Sequence, residues 1–374
     1  MTQKKIKVLI VGTGRISDLN ALGYLQNDDA EVYAVCDLKY KRAKRRADKW
    51  GAKVIYTDYT DALKDENIDL VEILTPHALH EKMVIEACEA GKHVSVQKPP
   101  TLTLNQMDNM IKAARKNGVK FKVFENFRFH PPYMFAMDLI KKGVIGDAMT
   151  VNYRMWMAQN PLSMWKVPLL TWQWRIQEKH NYKLPTLFDD GYHKHSIIHM
   201  FFSPHKIRSV QAWKGGFRIY NLIKIDTPAV VIYKVSKTKY GTWNSSMGTK
   251  LPIKSDYYGC DEYVEVQGEK GIIFINGCTG NMFVGATCGG PGEPGVYWID
   301  ENGDWHCENK METNWKYSFI NSTNHFIKCI KEDCTPILNG KDAREILQIA
   351  LAMVKSLRSN NIDIPVNTIK NGIE

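Results

Sequence analysis

The stretch 8-VLIVGTGRIS-17 constrains the fold more than any other part of the sequence. A run of apolar, mostly β-branched residues stops at Gly12 and Gly14, and the small residue Ser17 follows three positions later. This pattern is typical of a buried strand that turns directly into a helix. A side chain at Gly12 would block the tight turn, and one at Gly14 would keep a pyrophosphate away from the backbone. Taken alone, the motif also fits a tight turn that binds nothing.

The context of the turn favours the binding interpretation. Short apolar strands alternate with amphipathic helices throughout the first third of the chain, which predicts a doubly wound parallel sheet. The predicted strands are 6–11, 31–36, 69–74, 93–96 and 120–124, and the predicted helices lie near 17–26, 40–50, 79–90 and 104–117. We therefore predict a Rossmann dinucleotide-binding domain over residues 1–126.

Asp37 ends the second predicted strand, 25 residues after Gly12. A carboxylate at this place hydrogen-bonds the 2′-hydroxyl of the adenosine ribose and repels a 2′-phosphate, which predicts NAD rather than NADP. Lys39, Lys41 and Arg42 follow closely and would offset part of that repulsion. The alternative role for Asp37 is to cap the next helix.

After Asn126 the pattern changes to longer strands. A helix is predicted at 132–142 and strands at 148–157, 207–215, 229–235, 262–276 and 295–308, with further helices at 321–331 and 341–359. The length of 374 residues also exceeds what one hydrophobic core normally serves. We predict a second α/β domain over residues 127–374, built on a large, mostly antiparallel open sheet.

The composition excludes several classes of protein. The formal net charge is +10, but the basic residues are spread along the chain, and the densest run, 39-KYKRAKRR-46, is typical of a solvated helix start. We expect no nucleic-acid partner. No apolar run approaches the roughly 20 residues of a membrane span, so we expect no membrane partner. None of the eight cysteines forms a C-x-x-C pair; we interpret them as reduced thiols of a cytoplasmic protein.

Two further segments carry residues suited to proton transfer. In 95-SVQKPP-100, Lys98 follows a parallel strand at the sheet edge where ligands bind, and two prolines fix the chain behind it. In 189-DDGYHKHSIIH-199, Asp189 and His193 are four residues apart and share one helix face. A surface lysine and an ordinary helix are the alternatives. For His195 and His199 we favour that ordinary role, as histidines satisfied within the fold.

These segments, with 75-TPHALH-80, 125-ENFRFHPP-132 and the C-terminal residues 326–359, resemble the glucose–fructose oxidoreductase / inositol dehydrogenase (Gfo/Idh/MocA) family over nearly the whole chain. The resemblance implies a Rossmann domain followed by an α/β domain. In that family the open sheet of the second domain forms one wall of the active site and is commonly the oligomer contact. The resemblance therefore implies that the chain forms a homo-oligomer, which would be a dimer, tetramer or hexamer.

The resemblance also assigns site residues. The catalytic residues would be Lys98, Asp189 and His193, with His193 as the base that removes a hydroxyl proton and Lys98 stabilising the alkoxide. The expected cofactor contacts are Gly12, Thr13, Gly14, Arg15, Ile16, Asp37, Thr75, Pro76, His80, Gln97, Lys98 and Asn126. The expected substrate contacts are Lys98, Arg128, Trp174, Arg175, Asp189 and His193. Two positions depart from the family pattern: Gln97 replaces a glutamate and Ser196 an aspartate.

Two other features leave alternatives open. The segment 153–181 is rich in tryptophan, and Trp156, Trp165, Trp172 and Trp174 follow no single period. This segment is either core or a substrate wall, and the latter suits a sugar with a bulky substituent. Asp189, His193, His195 and His199 have the residue types of metal ligands. We expect no metal, because Lys98 has no place in such a site and the family works without one.

The sequence thus predicts an NAD-dependent dehydrogenase of a secondary hydroxyl in a sugar, a glycoside or a cyclitol, with C3 of a glycoside as one candidate position. The alternative is an NAD-dependent glycosidase that works by transient oxidation and elimination. A non-catalytic NAD-binding regulator is a third hypothesis, and Lys98, Asp189 and His193 argue against it.

Overall fold

The computed structural model describes most of the chain and divides into two compact units. The described residues are 4–158, 162–163, 175–177, 181–219, 223–248, 254–255, 260–277 and 294–373. The first unit contains residues 1–126 and 318–347, and the second contains 127–317 and 348–374. One boundary falls after Asn126, and residues 318–347, which the sequence pattern assigned to the second domain, cluster with the first unit.

The first unit is built on a six-stranded parallel sheet, as the alternation of strands and helices predicts. The strand order is β3-β2-β1-β4-β5-β6. The strands are β1 Ile6–Val11, β2 Ala30–Cys36, β3 Val54–Tyr56, β4 Leu70–Ile73, β5 His93–Gln97 and β6 Phe121–Phe124. The helices are α1 Ser17–Leu25, α2 Tyr40–Trp50, α3 Tyr59–Leu63, α4 His80–Glu89 and α5 Leu104–Lys116. Val8, Leu9 and Ile10 of β1 are fully buried, as expected for a strand covered on both faces.

The second unit is built on a nine-stranded mixed sheet with the order β18-β17-β16-β15-β7-β13-β12-β9-β19. Its neighbouring strands are antiparallel except for β7 and β13, which agrees with the predicted mostly antiparallel sheet. The strands are β7 Ala148–Ala158, β9 Ser209–Lys214, β12 Ala229–Lys234, β13 Tyr240–Gly248, β15 Cys260–Gly268, β16 Ile272–Asn276, β17 Val296–Ile299, β18 Trp305–Glu308 and β19 Ile364–Pro365. The described residues also form two two-stranded sheets. One pairs β8 Leu162–Ser163 with β14 Lys254–Ser255, and the other pairs β10 Phe217–Ile219 with β11 Ile223–Ile225.

Among the described residues, four α-helices come after Asn126 in the chain. They are α6 Pro131–Lys141, α7 Gly191–Phe202, α8 Lys316–Lys331 and α9 Gly340–Arg358. Helix α7 is buried along nearly its whole length, including its polar residues His193, Lys194 and His195. Within the described residues, no helix combines the length and the apolar character that crossing a membrane requires.

A buried pair of charges lies within the first unit. Glu72 on β4 and Lys122 on β6 are both fully buried. Glu72 accepts hydrogen bonds from Asn20 Nδ2 at 3.0 Å and Tyr24 Oη at 2.6 Å. Lys122 Nζ donates to the carbonyl oxygen and Oγ of Ser322 at 2.8 and 2.9 Å. Burial lowers the pKa of Lys122 to about 7 despite the opposing effect of Glu72, and it raises the pKa of Glu72 despite Lys122. The pairing therefore offsets only part of the desolvation cost.

Replacing Lys122 by methionine should destabilise the first unit, because Glu72 would stay buried without its positive neighbour. Removal of one member of a buried pair costs about 3–5 kcal/mol, and urea unfolding followed by circular dichroism would measure the loss. Lys120→Met is the matched control, since Lys120 pairs with the exposed carboxylate of Asp333 and should contribute at most about 1 kcal/mol. Equal losses in the two variants would contradict this account.

Candidate active site

The turn after β1 is shaped by Gly12. Its φ is +88°, and a Cβ atom built there would lie 2.9 Å from the carbonyl oxygen of Leu74. A side chain would therefore be strained and would also collide with the backbone that follows β4. A Cβ atom on Gly14 meets nothing within 4 Å, so the backbone here borders open space. Ser17 is the small residue of the motif, and its Oγ donates a hydrogen bond to the Gly14 carbonyl oxygen at 2.6 Å.

Asp37 accepts five hydrogen bonds beside this turn. It accepts from the backbone N–H and Oγ1 of Thr13 at 2.9 and 2.8 Å and from the backbone N–H of Lys39 at 2.9 Å. Arg42 donates through Nε at 2.8 Å and Nη2 at 2.6 Å. Burial alone would raise the pKa of Asp37, but these hydrogen bonds, led by those of Arg42, lower it to about 2. Asp37 is therefore a carboxylate at neutral pH.

The loops after β4 and β5 are tied together by His80. Its ring nitrogens lie 2.8 Å from the carbonyl oxygen of Thr75 and 3.0 Å from that of Pro100. Burial, helped by the neighbouring His77, lowers the pKa of His80 to about 3, so the ring is neutral. This histidine thus holds the segment that carries Lys98 against the end of β4.

The remaining cofactor candidates lie around the same sheet edge. The Gln97 side chain accepts from the Lys98 backbone N–H at 2.9 Å, and the Lys98 side chain is half-buried. Asn126 is buried and donates to Ser318 Oγ at 2.6 Å, within the same unit. Arg15 and Pro76 are exposed, while Ile16 is half-buried. These positions belong to the turn and to the loops at the carboxyl ends of the strands.

In the second unit, a π-helical turn over Pro185–Asp190 leads directly into α7. The sequence pattern predicted no such turn, and π-helical turns are frequent at functional sites. Asp226 anchors its start by accepting from the backbone N–H groups of Thr186 at 2.9 Å and Leu187 at 2.6 Å. Desolvation by burial raises the pKa of the Asp226 carboxyl. Asp189 lies in this turn and is 2% exposed.

Gly191 explains why the D-x-G-x-H segment contains a glycine. A Cβ atom there would lie 2.9 Å from two ring atoms of Trp243 and 3.2 Å from the carbonyl oxygen of Thr186. Trp243 is a fully buried residue of β13. The glycine therefore lets the junction of the π-helical turn and α7 lie directly against the sheet.

His193 is packed against an aromatic ring. Its imidazole stacks on Phe127 with a centroid distance of 3.9 Å and an interplanar angle of 11°. His193 is only 5% exposed. Asp189 also lies 3.3 Å from Nε of Arg175. A flat ring at van der Waals distance restricts rotation of the imidazole, so packing contributes to its orientation.

Beside His193 lies a buried network of charges around Lys194. Its Nζ lies 2.7 Å from Asp190 Oδ2 and 2.6 Å from Glu262 Oε1. The same Nζ lies 5.1 Å from the ring centroid of Phe127, on which His193 stacks. Burial alone would lower the pKa of Lys194, but Asp190 and Glu262 raise it. The lysine is therefore charged and joins α7 to β15.

The other histidines of α7 have different surroundings. His195 is fully buried, and its Nδ1 lies 2.7 Å from Tyr233 Oη. Burial lowers the pKa of His195 to about 3. His199 Nδ1 accepts from Nη2 of Arg128 at 2.9 Å. The contact of His199 agrees with the interpretation of a satisfied histidine, whereas for His195 only Nδ1 has a hydrogen-bond partner within the described residues.

Arg128 has more than one partner on α7. Its Nε donates to Ser196 Oγ at 2.8 Å, and Nη2 donates to the Ser196 carbonyl oxygen at 3.1 Å. Ser196 thus accepts hydrogen bonds from Arg128, which we predicted to contact the substrate. Trp174, another predicted substrate contact, lies outside the described residues, as do Trp165 and Trp172. Among the described residues, no cluster of three or more His, Cys, Asp or Glu side chains has a metal-binding arrangement.

Phe127, Lys194, Asp226 and Glu262 were not predicted as part of the site. Phe127 directly precedes Arg128 in the 125-ENFRFHPP-132 motif, and this proximity was the available signal. Asp226 and Glu262 lie far from α7 in sequence, and no local pattern connects them with Asp189 or Lys194.

Two family models together match most of the chain. An oxidoreductase family model with an NAD-binding Rossmann fold matches residues 6–125. The model of the C-terminal alpha/beta domain of the same oxidoreductase family matches residues 137–367. The two matches cover both predicted domains.

Individual proteins show the same likeness. The chain is 25% identical over 359 residues to the myo-inositol 2-dehydrogenase of Thermotoga maritima, covering 94% of this chain and 96% of that enzyme. It is 30% identical over 155 residues to the D-glucoside 3-dehydrogenase of Escherichia coli, covering 41% of this chain. The match to the D-glucoside 3-dehydrogenase spans 44% of that enzyme's length. A match to an oxidoreductase of Bacillus subtilis, at 34% identity, spans 42% of that protein's length. A levoglucosan dehydrogenase structure in complex with NADH and levoglucosan has the same fold, with a TM-score of 0.80 at 17% identity over 97% of this chain and 100% of that one.

Replacing Asp226 by alanine should destabilise the second unit, because the N–H groups of Thr186 and Leu187 would lose their acceptor. Each buried unsatisfied group costs about 1–3 kcal/mol, so we expect the two groups together to cost about 2–6 kcal/mol in urea unfolding. Asp363→Ala is the control, since that partly exposed carboxylate pairs with Lys234 and should contribute at most about 1 kcal/mol.

The pH dependence gives a second measurement on Asp226. Because its pKa is raised in the folded state, the stability that it contributes is present below the unfolded pKa of about 3.9 and is lost as the pH rises through the folded pKa. Asp226→Asn should lack this part of the pH dependence. An unchanged slope in the Asn variant would show that Asp226 does not titrate as proposed.

Proposed function

Because the chain belongs to the Gfo/Idh/MocA family of NAD-binding oxidoreductases, we propose that it oxidises a secondary hydroxyl of a sugar, a glycoside or a cyclitol. The observation that carries the proposal is the arrangement of the second unit. There a buried carboxylate, Asp189, precedes by four residues a histidine whose ring is held by stacking on Phe127. An imidazole fixed in this way is suited to remove a hydroxyl proton.

The first unit has the features that NAD binding requires. Gly12 makes the tight turn, Gly14 borders open space, and the helix that follows has no side-chain cap on its N-terminal N–H groups. Asp37 is ionised and lies beside the turn. These residues would hold the pyrophosphate and the adenosine ribose. When bound, NAD supplies the hydride acceptor, and the chain supplies orientation and proton transfer.

We assign three roles to the chain. His193 accepts the proton of the substrate hydroxyl, Asp189 orients the imidazole and favours its protonated form, and Lys98 stabilises the alkoxide that develops. Asp189 and His193 lie on adjoining helical segments of one unit. The inclusion of Lys98, which follows β5 in the other unit, rests on the family resemblance.

C3 of a glycoside is our first candidate for the oxidised position. The D-glucoside 3-dehydrogenase similarity supports it, while the full-length similarity to a myo-inositol 2-dehydrogenase supports a cyclitol. The tryptophan-rich segment 153–181 favours a sugar with a bulky substituent over a free cyclitol.

A substrate screen that follows NADH absorbance tests this proposal over cyclitols, free hexoses and aryl glycosides. We expect NADH to accumulate with at least one aryl glycoside. Cleavage of a glycoside without net NADH would instead support a glycosidase that oxidises its substrate transiently. NAD binding with no turnover of any of these substrates would support a non-catalytic regulator.

Replacing His193 by asparagine should lower turnover about 10²–10⁴-fold, the usual contribution of a positioned general base. NAD affinity should persist, because the proposed cofactor contacts lie in the first unit. Lys98→Met should also lower turnover. The two losses should not add, since both groups serve one proton transfer. Stopped-flow kinetics and an NAD titration measure these effects.

His195→Asn is the control for this series. It removes the contact with Tyr233 and should reduce stability, but the turnover of the folded protein should change little. If His193→Asn lowers turnover only slightly and His195→Asn lowers it severely, the catalytic pair would have to be sought around Asp190 and His195.

We also propose that the chain forms a homo-oligomer through the sheet of the second unit. Trp213, Tyr240 and Trp305 lie on strands of this sheet and expose 50%, 45% and 58% of their surfaces. Large exposed aromatic side chains on one sheet suit a protein contact. Light scattering at micromolar concentration should give the mass of a dimer, tetramer or hexamer. Trp213→Glu should weaken the association between subunits and lower that mass. A monomeric wild type would refute the proposal.

A further inference from the structure

The acceptor capacity of Asp37 is already used by the protein. Oδ2 accepts from the backbone N–H and Oγ1 of Thr13 and from Arg42 Nε, and Oδ1 accepts from the Lys39 backbone N–H and Arg42 Nη2. A carboxylate offers about four lone-pair sites. These five donors therefore saturate it, and a further hydroxyl donor can bind only where one of them gives way.

Arg42 is the donor that can leave most easily. Thr13 is fully buried, and its N–H and that of Lys39 are backbone groups fixed by the turns in which they lie. The Arg42 side chain is long and 42% exposed, whereas the Asp37 side chain is 2% exposed. The pair is bidentate and its carboxylate is buried, so displacing Arg42 costs more than breaking an exposed ion pair would. A ribose hydroxyl that binds Asp37 in place of Arg42 must therefore offset the loss of this ion pair.

We infer that Arg42 competes with the adenosine ribose of NAD for Asp37 and thereby sets how strongly the protein discriminates between NAD and NADP. While paired, Arg42 neutralises the carboxylate that would repel a 2′-phosphate. Once displaced, its guanidinium can form the same bidentate bonds with a phosphate as with a carboxylate. Arg42 thus disfavours NAD and favours NADP, opposite to Asp37. The inference rests on the assignment of NAD as cofactor and is independent of the substrate.

Isothermal titration of the purified protein with NAD⁺ and with NADP⁺ tests this inference without any turnover. In Arg42→Ala we expect NAD⁺ to bind at least about twofold more tightly, because the competing ion pair is gone. NADP⁺ should bind about tenfold or more weakly, because a charge-assisted partner is lost. The ratio of the two affinities should therefore rise by more than tenfold.

Arg45→Ala is the charge-matched control. Arg45 lies on the same helix, is exposed, and is not among the donors to Asp37. Its removal should shift both affinities in the same direction by less than about threefold, through long-range attraction alone. Thermal melts of every variant show whether it is folded. Arg42→Gln provides a second variant without the positive charge if Arg42→Ala has a folding defect.

Two results would overturn the inference. Weaker NAD⁺ binding in a folded Arg42 variant would mean that Arg42 holds Asp37 in place for the cofactor. Equal shifts for NAD⁺ and NADP⁺ would mean that Arg42 contributes only general positive charge. Because these titrations need no substrate, a failed substrate screen would leave their outcome unaffected.

Discussion

The buried carboxylate of Asp226 fixes the helical segment on which the second half of the candidate site depends. The first N–H groups of any helix lack partners within it, and in a buried helix they must find an acceptor in the surrounding protein. Asp226 supplies that acceptor to Thr186 and Leu187 at the start of the π-helical turn. The direction of this turn sets where Asp189 lies and how α7 enters the core. Gly191 then allows the junction to touch Trp243.

Both units bury charge beside the residues assigned to chemistry, and each buried charge has partners. In the first unit Asp37 is compensated by Arg42 and by backbone N–H groups. In the second, Lys194 is compensated by Asp190 and Glu262. An uncompensated charge at these depths would cost several kcal/mol, so the partners of each network hold its buried charge in place. The surroundings of the proposed site are thus ordered by electrostatics as well as by packing.

Local patterns allowed much of the fold to be predicted. The strands of the first sheet are short and largely apolar, and the glycine turn directly follows the first of them. Three features could not be predicted because they depend on distant contacts. The π-helical turn depends on Asp226, the stacking partner of His193 comes from Phe127, and residues 318–347 join the first unit through contacts such as that between Lys122 and Ser322.

The contacts of α7 also bear on which acid–base pair the site would use. Asp190 and His195 are five residues apart and provide an alternative pair by residue type. In the folded chain, however, Asp190 lies against the charged amine of Lys194, and His195 is enclosed with Tyr233 and Trp243. A histidine whose pKa burial lowers to about 3 is a poor proton acceptor near neutral pH. Because Asp190 and His195 each have another partner, Asp189 and His193 remain the pair that we propose for proton transfer.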